Sequence, residues 1–229
     1  MAESLALRQQ LLERKLACRE AFLRYKDEHE TARLALAAGI THIEGWFCTD
    51  IKPTPENGIY YCDMTEKFPF EDESFDYIQC EHGIEHVSFE DGLICLSECY
   101  RVLKKGGVVR IATPSLDKWV AYYTREDDMH DRCTILATHL WLDTAKNLDF
   151  YSKCLVLNNA MRNWGHQVVY DYETMSRLLL ALKFGQVCET EIGASAHPDL
   201  RGLERHEVSN GSLLREYNAM EVMVVEAVK

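Results

Sequence analysis

Short apolar runs that alternate with helix-patterned segments from Arg33 onward constrain this chain most. Residues 33–37, 46–51, 58–62, 75–80 and 108–112 each have strand length and end at turn residues. Residues 88–103 form an intervening helix, which Ser88 is placed to cap with Asp91 three residues on. Lys104 and Lys105 suit the helix's negative end, and Gly106 is expected to take the left-handed stop position. Two further strands are expected at 187–192 and 221–228, with a helix at 172–182 before them. Strands separated by helices cannot pair as hairpins. They form a mostly parallel sheet with helices on both faces, so the expected class is α/β.

Two segments lie outside this alternation. Residues 3–30 read as one amphipathic helix carrying Leu5, Leu11, Leu12, Leu16, Phe22 and Tyr25 at helical spacing. It is expected to pack on the domain, and it is the candidate for a lid or for the contact of a homodimer. Residues 115–165 are mostly helical and rich in Trp and Tyr. With no repeat, low-complexity tract or linker, residues 1–229 read as a single domain. Its parts are the first helix (1–30), a ligand-binding half (33–114) and a substrate-side half (115–229).

Composition narrows the function. Acidic residues outnumber basic ones, 37 to 25, for a formal net charge of −12, and no basic run exceeds Lys104-Lys105. A nucleic-acid partner would call for a basic footprint, so a small molecule is the expected substrate. The nine cysteines are scattered and form no Cys-x-x-Cys pair, which suits reduced, mostly buried thiols in the cytoplasm. The first residues lack the apolar block of a signal peptide, and no run approaches the roughly 18 apolar residues of a membrane span.

The chemistry-bearing residues fall at the carboxyl ends of the strands, where open α/β sheets bind their ligands. Ala37-Ala38-Gly39 follows the first strand, where small residues let backbone approach a ligand. Asp50, followed by Ile51, ends the second strand; its carboxylate can accept both hydroxyls of a ribose or else close a turn before Pro53. Asp63 and Met64 end the third. They suit an adenine, with the carboxylate on the amino group and the thioether on the ring; the alternative for Asp63 is a cap. Cys80, Glu81 and His82 end the fourth.

His82 and His86 stand at i and i+4 with Glu81 and Glu85 between or beside them. A metal site on one helix face is one reading, but no Cys or Asp completes a ligand spacing, so no metal is assigned. Pocket-lining and proton-accepting roles are the other. His166, in a Trp164-Gly165-His166 turn, is a natural general base, and the rings of Tyr170 and Trp164 are candidates to face a cation.

The string PFEDESFDYIQCEHGIEHV, with LSECYRVLKKGGVVRIATPS after it, resembles the class I S-adenosylmethionine-dependent methyltransferases. More narrowly, it is similar to a branch of small bacterial-type enzymes often found beside sugar and natural-product genes. Residues 161–166, Tyr170-Asp171, Ser195 and Gly202-Leu203-Glu204 share that likeness, which spans roughly 33–229. The resemblance implies a Rossmann-like fold with a seven-stranded sheet and S-adenosylmethionine as cofactor. Ala37 to Gly39 would be the cofactor loop, Asp50 would hold the ribose, and Asp63 and Met64 would frame the adenine. Cys80, Glu81 and His82 would border the sulfonium. The sequence departs from the pattern at Ala37, where the family usually has glycine. Methyl transfer to a small hydroxylated or amino metabolite is the leading expectation, with the acceptor held by residues 115–170 and 193–215. The Ala37 departure motivates two others: breakage of a different C–S bond with release of methylthioadenosine, and a non-catalytic partner that kept the fold.

Overall fold

In a computed structural model of the chain, which describes residues 2–204 and 212–229, one seven-stranded sheet organises the molecule. A long helix, α1 (Ala2–Glu28), precedes β1 (Arg33–Leu36), β2 (Phe47–Asp50), β3 (Ile59–Tyr61) and β4 (Phe75–Glu81). Then come α2 (Phe89–Val102), β5 (Leu103–Pro114), α3 (Leu116–Thr124), α4 (Asp128–Trp141), α5 (Asp143–Asn147) and α6 (Lys153–Arg162). The chain ends with α7 (Tyr172–Ala181), β6 (Val187–Thr190), α8 (Ser212–Glu221) and β7 (Val222–Val228). The strand order is β3-β2-β1-β4-β5-β7-β6, with only β7 antiparallel to its neighbours.

Alternation along each strand divides the core between the two faces. Leu34 and Leu36 of β1, Ile78 and Cys80 of β4, and Val109 and Ile111 of β5 point to one face, under α1, α2 and α7. Cys18, Ala21 and Phe22 bring α1 onto that face, where Phe22 meets Phe47, Phe70 and Phe75 ring to ring. On the other face Ala35, Cys48, Ile59 and Val108 lie under Trp46 and Leu200. Helices α3, α4, α6 and α8 close a separate small core around Trp119, Tyr122 and Tyr217.

Arg110 is 1% exposed in the middle of the second face. It meets Glu226 of β7 at 2.6 Å and Glu204 at 2.6 Å, and donates to the Ala194 carbonyl at 2.9 Å. Glu204 in turn accepts from the Gly193 N–H at 2.8 Å. This buried triad ties the segment 193–204 across β5 and β7, where the short turn Pro198–Leu200 covers what no long helix covers.

Four local expectations change. The first four strands are joined by loops and a short turn at Pro55–Asn57, so the alternation with α-helices begins only at α2. Gly106 does not cap α2: Leu103 leaves the helix in extended geometry and pairs with Phe75, so the left-handed Gly106 (φ 77°) bends the chain inside β5. Lys104 instead reaches Asp76 at 2.7 Å. In α1, Leu12 and Leu16 face solvent, and the buried positions are Cys18, Ala21 and Phe22. The helix crosses the 61–66 segment, where Lys15 meets Glu66 at 2.9 Å, and none of its described residues lines the main cavity described below. None of the described cysteines forms a disulfide, and seven are buried. No described helix is long and apolar enough to cross a membrane.

Removing one member of a buried ion network strands its partners. Arg110→Ala, which leaves Glu204 and Glu226 buried together, is expected to cost about 3–5 kcal/mol in urea unfolding. Adding Glu204→Gln and Glu226→Gln is expected to recover most of that loss.

Candidate functional site

The sheet order reverses between β1 and β4: β1 continues toward β2 on one side, β4 toward β5 on the other. The chains leaving these two strands part and open a crevice at their carboxyl ends. A cavity of about 680 Å³ occupies it. Its sheet side is made by Ala37 to Thr41 after β1, Glu81 and His82 at the end of β4, and Pro114 at the end of β5. Its other side is made by Trp141 of α4, Trp164 and His166, and Leu214, Tyr217, Asn218 and Glu221 of α8.

Three lining residues hold left-handed backbone without being glycine: Ala37 (φ 50°), His82 (φ 47°) and Trp164 (φ 57°). Such conformations cost on the order of 1 kcal/mol and concentrate where a site needs them. Gly83 is what makes room for Ala37. A Cβ built on Gly83 would fall 2.7 Å from the Ala37 Cβ and 2.7 Å from Cys80 Sγ. The extra methyl of Ala37 is therefore turned against the bare Gly83 backbone. A Cβ on the left-handed Gly39 would meet nothing within 4 Å, so the loop is open there.

Of the residues expected at the site, the cavity gathers Ala37, Gly39, Glu81, His82 and His166. Asp50 stands beside it: one carboxylate oxygen accepts from Gly39 N–H at 3.0 Å and the other from Lys52 N–H at 2.8 Å. Ile51 is half exposed. Asp63 accepts from the Thr65 backbone at 2.8 Å and its hydroxyl at 2.7 Å, closing a turn. The Met64 methyl lies behind the His82-Gly83 turn, 3.5 Å from a Cβ built on Gly83. Cys80 and Tyr170 do not line the cavity. The Cys80 thiol is buried beside Gly83, and burial pushes it well above its usual range. Tyr170 is 2% exposed in the core, its hydroxyl against Gly92 of α2, so its ring cannot face a ligand in the cavity.

Glu85, fully buried in the short turn Ile84–His86, connects the site. Its carboxylate accepts from His82 Nδ1 at 3.0 Å and from the Thr113 hydroxyl at 2.9 Å. Its backbone carbonyl accepts from Gln167 N–H at 2.7 Å, drawing the 163–168 turn onto β4. Burial works to raise Glu85, but the hydrogen bond and charge of His82 outweigh it and leave the carboxyl below its usual range. Burial works to lower His82, and the same pair leaves it raised. His166 donates Nδ1–H to the Ala160 carbonyl at 2.7 Å, which puts its lone pair on Nε2. Burial holds His166 below its usual value.

Several lining residues escaped the sequence reading. Trp141 touches both Trp164 (ring centroids 5.4 Å) and Tyr217 (5.0 Å), making one aromatic wall. Glu221 was read only as the start of a strand. Burial lifts its carboxyl to about 7, against a lowering pull from His82. A glutamate directly before the apolar run Val222 to Val225 is the signal that could have found it. Part of the expected acceptor segment, 205–211, lies outside the described residues.

Gly83→Ala is expected to lower stability by about 1–3 kcal/mol in urea unfolding, from overpacking against Ala37 and Cys80. Ala37→Gly added to it is expected to recover part of the loss, because it removes one of the two contacts. Glu221 sets a pH dependence. With its folded pKa above the unfolded value, its contribution is complete below about pH 4 and is lost as pH rises through about 7. His82, also raised, acts in the same sense. Thermal melts should show Glu221→Gln matching the unsubstituted chain at pH 4 and exceeding it at pH 8.

Part of the chain is similar to a known family. Residues 49–111 match the family model described as a methyltransferase domain. No curated protein matches the chain. Among solved structures, a SAM-dependent methyltransferase from Archaeoglobus fulgidus is 15% identical, covering 94% of each chain with a TM-score of 0.47. One from Thermotoga maritima is 13% identical, covering 98% of this chain and 96% of its own, with a TM-score of 0.48. The 1,6-didemethyltoxoflavin-N1-methyltransferase of Burkholderia thailandensis, solved with 1,6-didemethyltoxoflavin and S-adenosylhomocysteine, is 12% identical. It covers 100% of this chain and 84% of its own, with a TM-score of 0.47. The matched segment runs from the end of β2 into β5 and takes in β4, one of the two strands that flank the crevice.

Proposed function

We propose that the chain methylates a nitrogen or oxygen of a small hydroxylated or amino metabolite, such as a sugar or natural-product intermediate. The observation that carries this reading is the two-sided cavity. A backbone loop and strand ends form one side, and aromatic rings with a histidine form the other. Its volume falls within the roughly 300–1,000 Å³ of small-molecule pockets. Residues 33–114 and 115–229 would then be the cofactor and acceptor halves of one domain.

The residues fit the cofactor. The loop from Ala37 to Gly39 is open on the cavity side, and the Ala37 methyl is turned against Gly83. Each Asp50 oxygen holds one backbone N–H and keeps lone-pair capacity for a ribose hydroxyl. We assign the ribose to Asp50 and the amino-acid arm to the 37–39 loop, with Glu81 beside it. Ile51, Asp63 and Met64 lie along the same strand ends and suit the adenine side. When bound, S-adenosylmethionine supplies an electrophilic methyl on a sulfonium, and the protein's task is alignment.

An acceptor O–H or N–H must lose its proton as the new bond to carbon forms. We assign that proton to His82, whose Nδ1–H is held by Glu85 so that Nε2 is the basic nitrogen and the imidazolium is stabilised. The His166 Nε2 lone pair can accept a hydrogen bond from the acceptor and orient it. Trp141, Trp164 and Tyr217 would hold its apolar faces. The net charge of −12 argues against a nucleic-acid acceptor, and thiols without disulfides favour the cytoplasm.

Mass spectrometry of the enzyme with S-adenosylmethionine and a panel of small amines and alcohols tests this. Adenosylhomocysteine formed only with an acceptor is expected; methylthioadenosine would overturn methyl transfer. His82→Ala is expected to lower kcat by about 10²–10⁴-fold with little change in cofactor Kd. Asp50→Ala is expected to weaken cofactor binding by about tenfold or more, as loss of charged hydrogen bonds does.

A further inference from the structure

We propose that Glu85, His86 and His166 form a binding site for one divalent transition-metal ion in the wall of this cavity. A ligand atom from each of the three lies within 4.8 Å of the other two. His86 and His166 both line the cavity, and their rings meet edge-on with centroids 4.9 Å apart.

The tautomer of His166 suits a ligand. Its Nδ1–H is committed to the Ala160 carbonyl, which leaves the Nε2 lone pair for a cation; metal-bound histidines are oriented by this kind of second hydrogen bond. Among the described residues, the His86 ring has no hydrogen bond to break. Glu85 already accepts from His82 and Thr113, but a carboxylate has about four lone-pair sites, so one remains for a metal. An ion with bonds of about 2.0–2.2 Å holds adjacent ligands roughly 3–4 Å apart. Closing from 4.8 Å asks for a shift of about 1 Å. The half-exposed His86 has room for it on the side of Gly165, where even a built Cβ would lie 3.8 Å from its Nδ1.

Two imidazoles and one carboxylate select Zn²⁺, Co²⁺, Fe²⁺ or Ni²⁺ over Mg²⁺ and Ca²⁺, which take mainly oxygen. Three protein ligands leave coordination positions open toward the cavity. With the ion on the His166 Nε2 lone pair, an acceptor hydroxyl or amine would be held by the ion in place of the His166 hydrogen bond and acidified there, and His82 would remain to take its proton. That last role rests on the methyl-transfer reading, whereas ion binding does not, so the test reads binding alone.

The chelator-treated, full-length chain would be titrated with Co²⁺, followed by its visible ligand-field bands and by calorimetry. One Co²⁺ per chain at micromolar Kd or tighter is expected, with bands of a four- or five-coordinate ion. His86→Ala and His166→Ala should each weaken binding by at least about 100-fold, the upper range for lesser changes around bound metals. His139→Ala, on the exposed face of α4, should change nothing. His166→Gln, which keeps an N–H for the Ala160 carbonyl, replaces the alanine variant if that one melts early by circular dichroism. Absence of Co²⁺ binding at millimolar concentration would overturn the proposal, as would binding undiminished in the His86 and His166 variants. Neither result would bear on methyl transfer, which is read separately from adenosylhomocysteine.

Discussion

A single buried carboxylate holds the working part of this molecule together. Glu85 sits in a short turn after β4, fully buried away from bulk solvent. A charge in that position is tolerated only when its partners are in place. His82 and the Thr113 hydroxyl satisfy its two oxygens, and its backbone carbonyl receives the 163–168 segment. One residue thus joins β4, β5 and the acceptor-side turn. The left-handed backbone of His82 is sustained by that connection rather than by its own preference.

The second face of the sheet is handled differently from the first. Where α1, α2 and α7 bury aliphatic and aromatic side chains, the other face carries an arginine and two glutamates at its centre. A long helix would offer that face an apolar stripe. The segment 193–204 offers backbone carbonyls and a carboxylate, which match a guanidinium. The polar triad and the loop cover are therefore one solution, each of use only with the other.

The departure at Ala37 has the same character. An alanine in left-handed geometry at the crevice seems misplaced when the loop is read alone. Its methyl has a place because Gly83, on the neighbouring strand end, has no side chain. Strain at Ala37 and open space at Gly83 are two halves of one contact, so the loop keeps its opening toward the cavity.

Much of the fold was legible residue by residue. Short apolar runs located six of the seven strands to within two residues and the second half of β5, because residue pattern along a strand is a local property. The Ser88 cap was legible for the same reason, and its hydroxyl accepts from Asp91 N–H at 3.1 Å. Ala37, Gly39, Glu81 and His82 could be placed at the crevice because strand ends are readable and ligands gather there. What joins across the chain was not legible. Trp141, Tyr217 and Glu221 sit on helices whose local pattern says only that they are amphipathic. His86, four residues from His82, suggested a partner on the same helix face, but the turn there is not an α-helix, and its ring meets His166 instead. The sequence by itself determined the strands, the Ser88 cap and one wall of the cavity, since those follow from short-range pattern and backbone preference. The second wall, the Glu85 network that raises His82 and the burial that shifts His166 and Glu221 were decided only by tertiary structure, because desolvation and side-chain contact depend on residues distant in the chain.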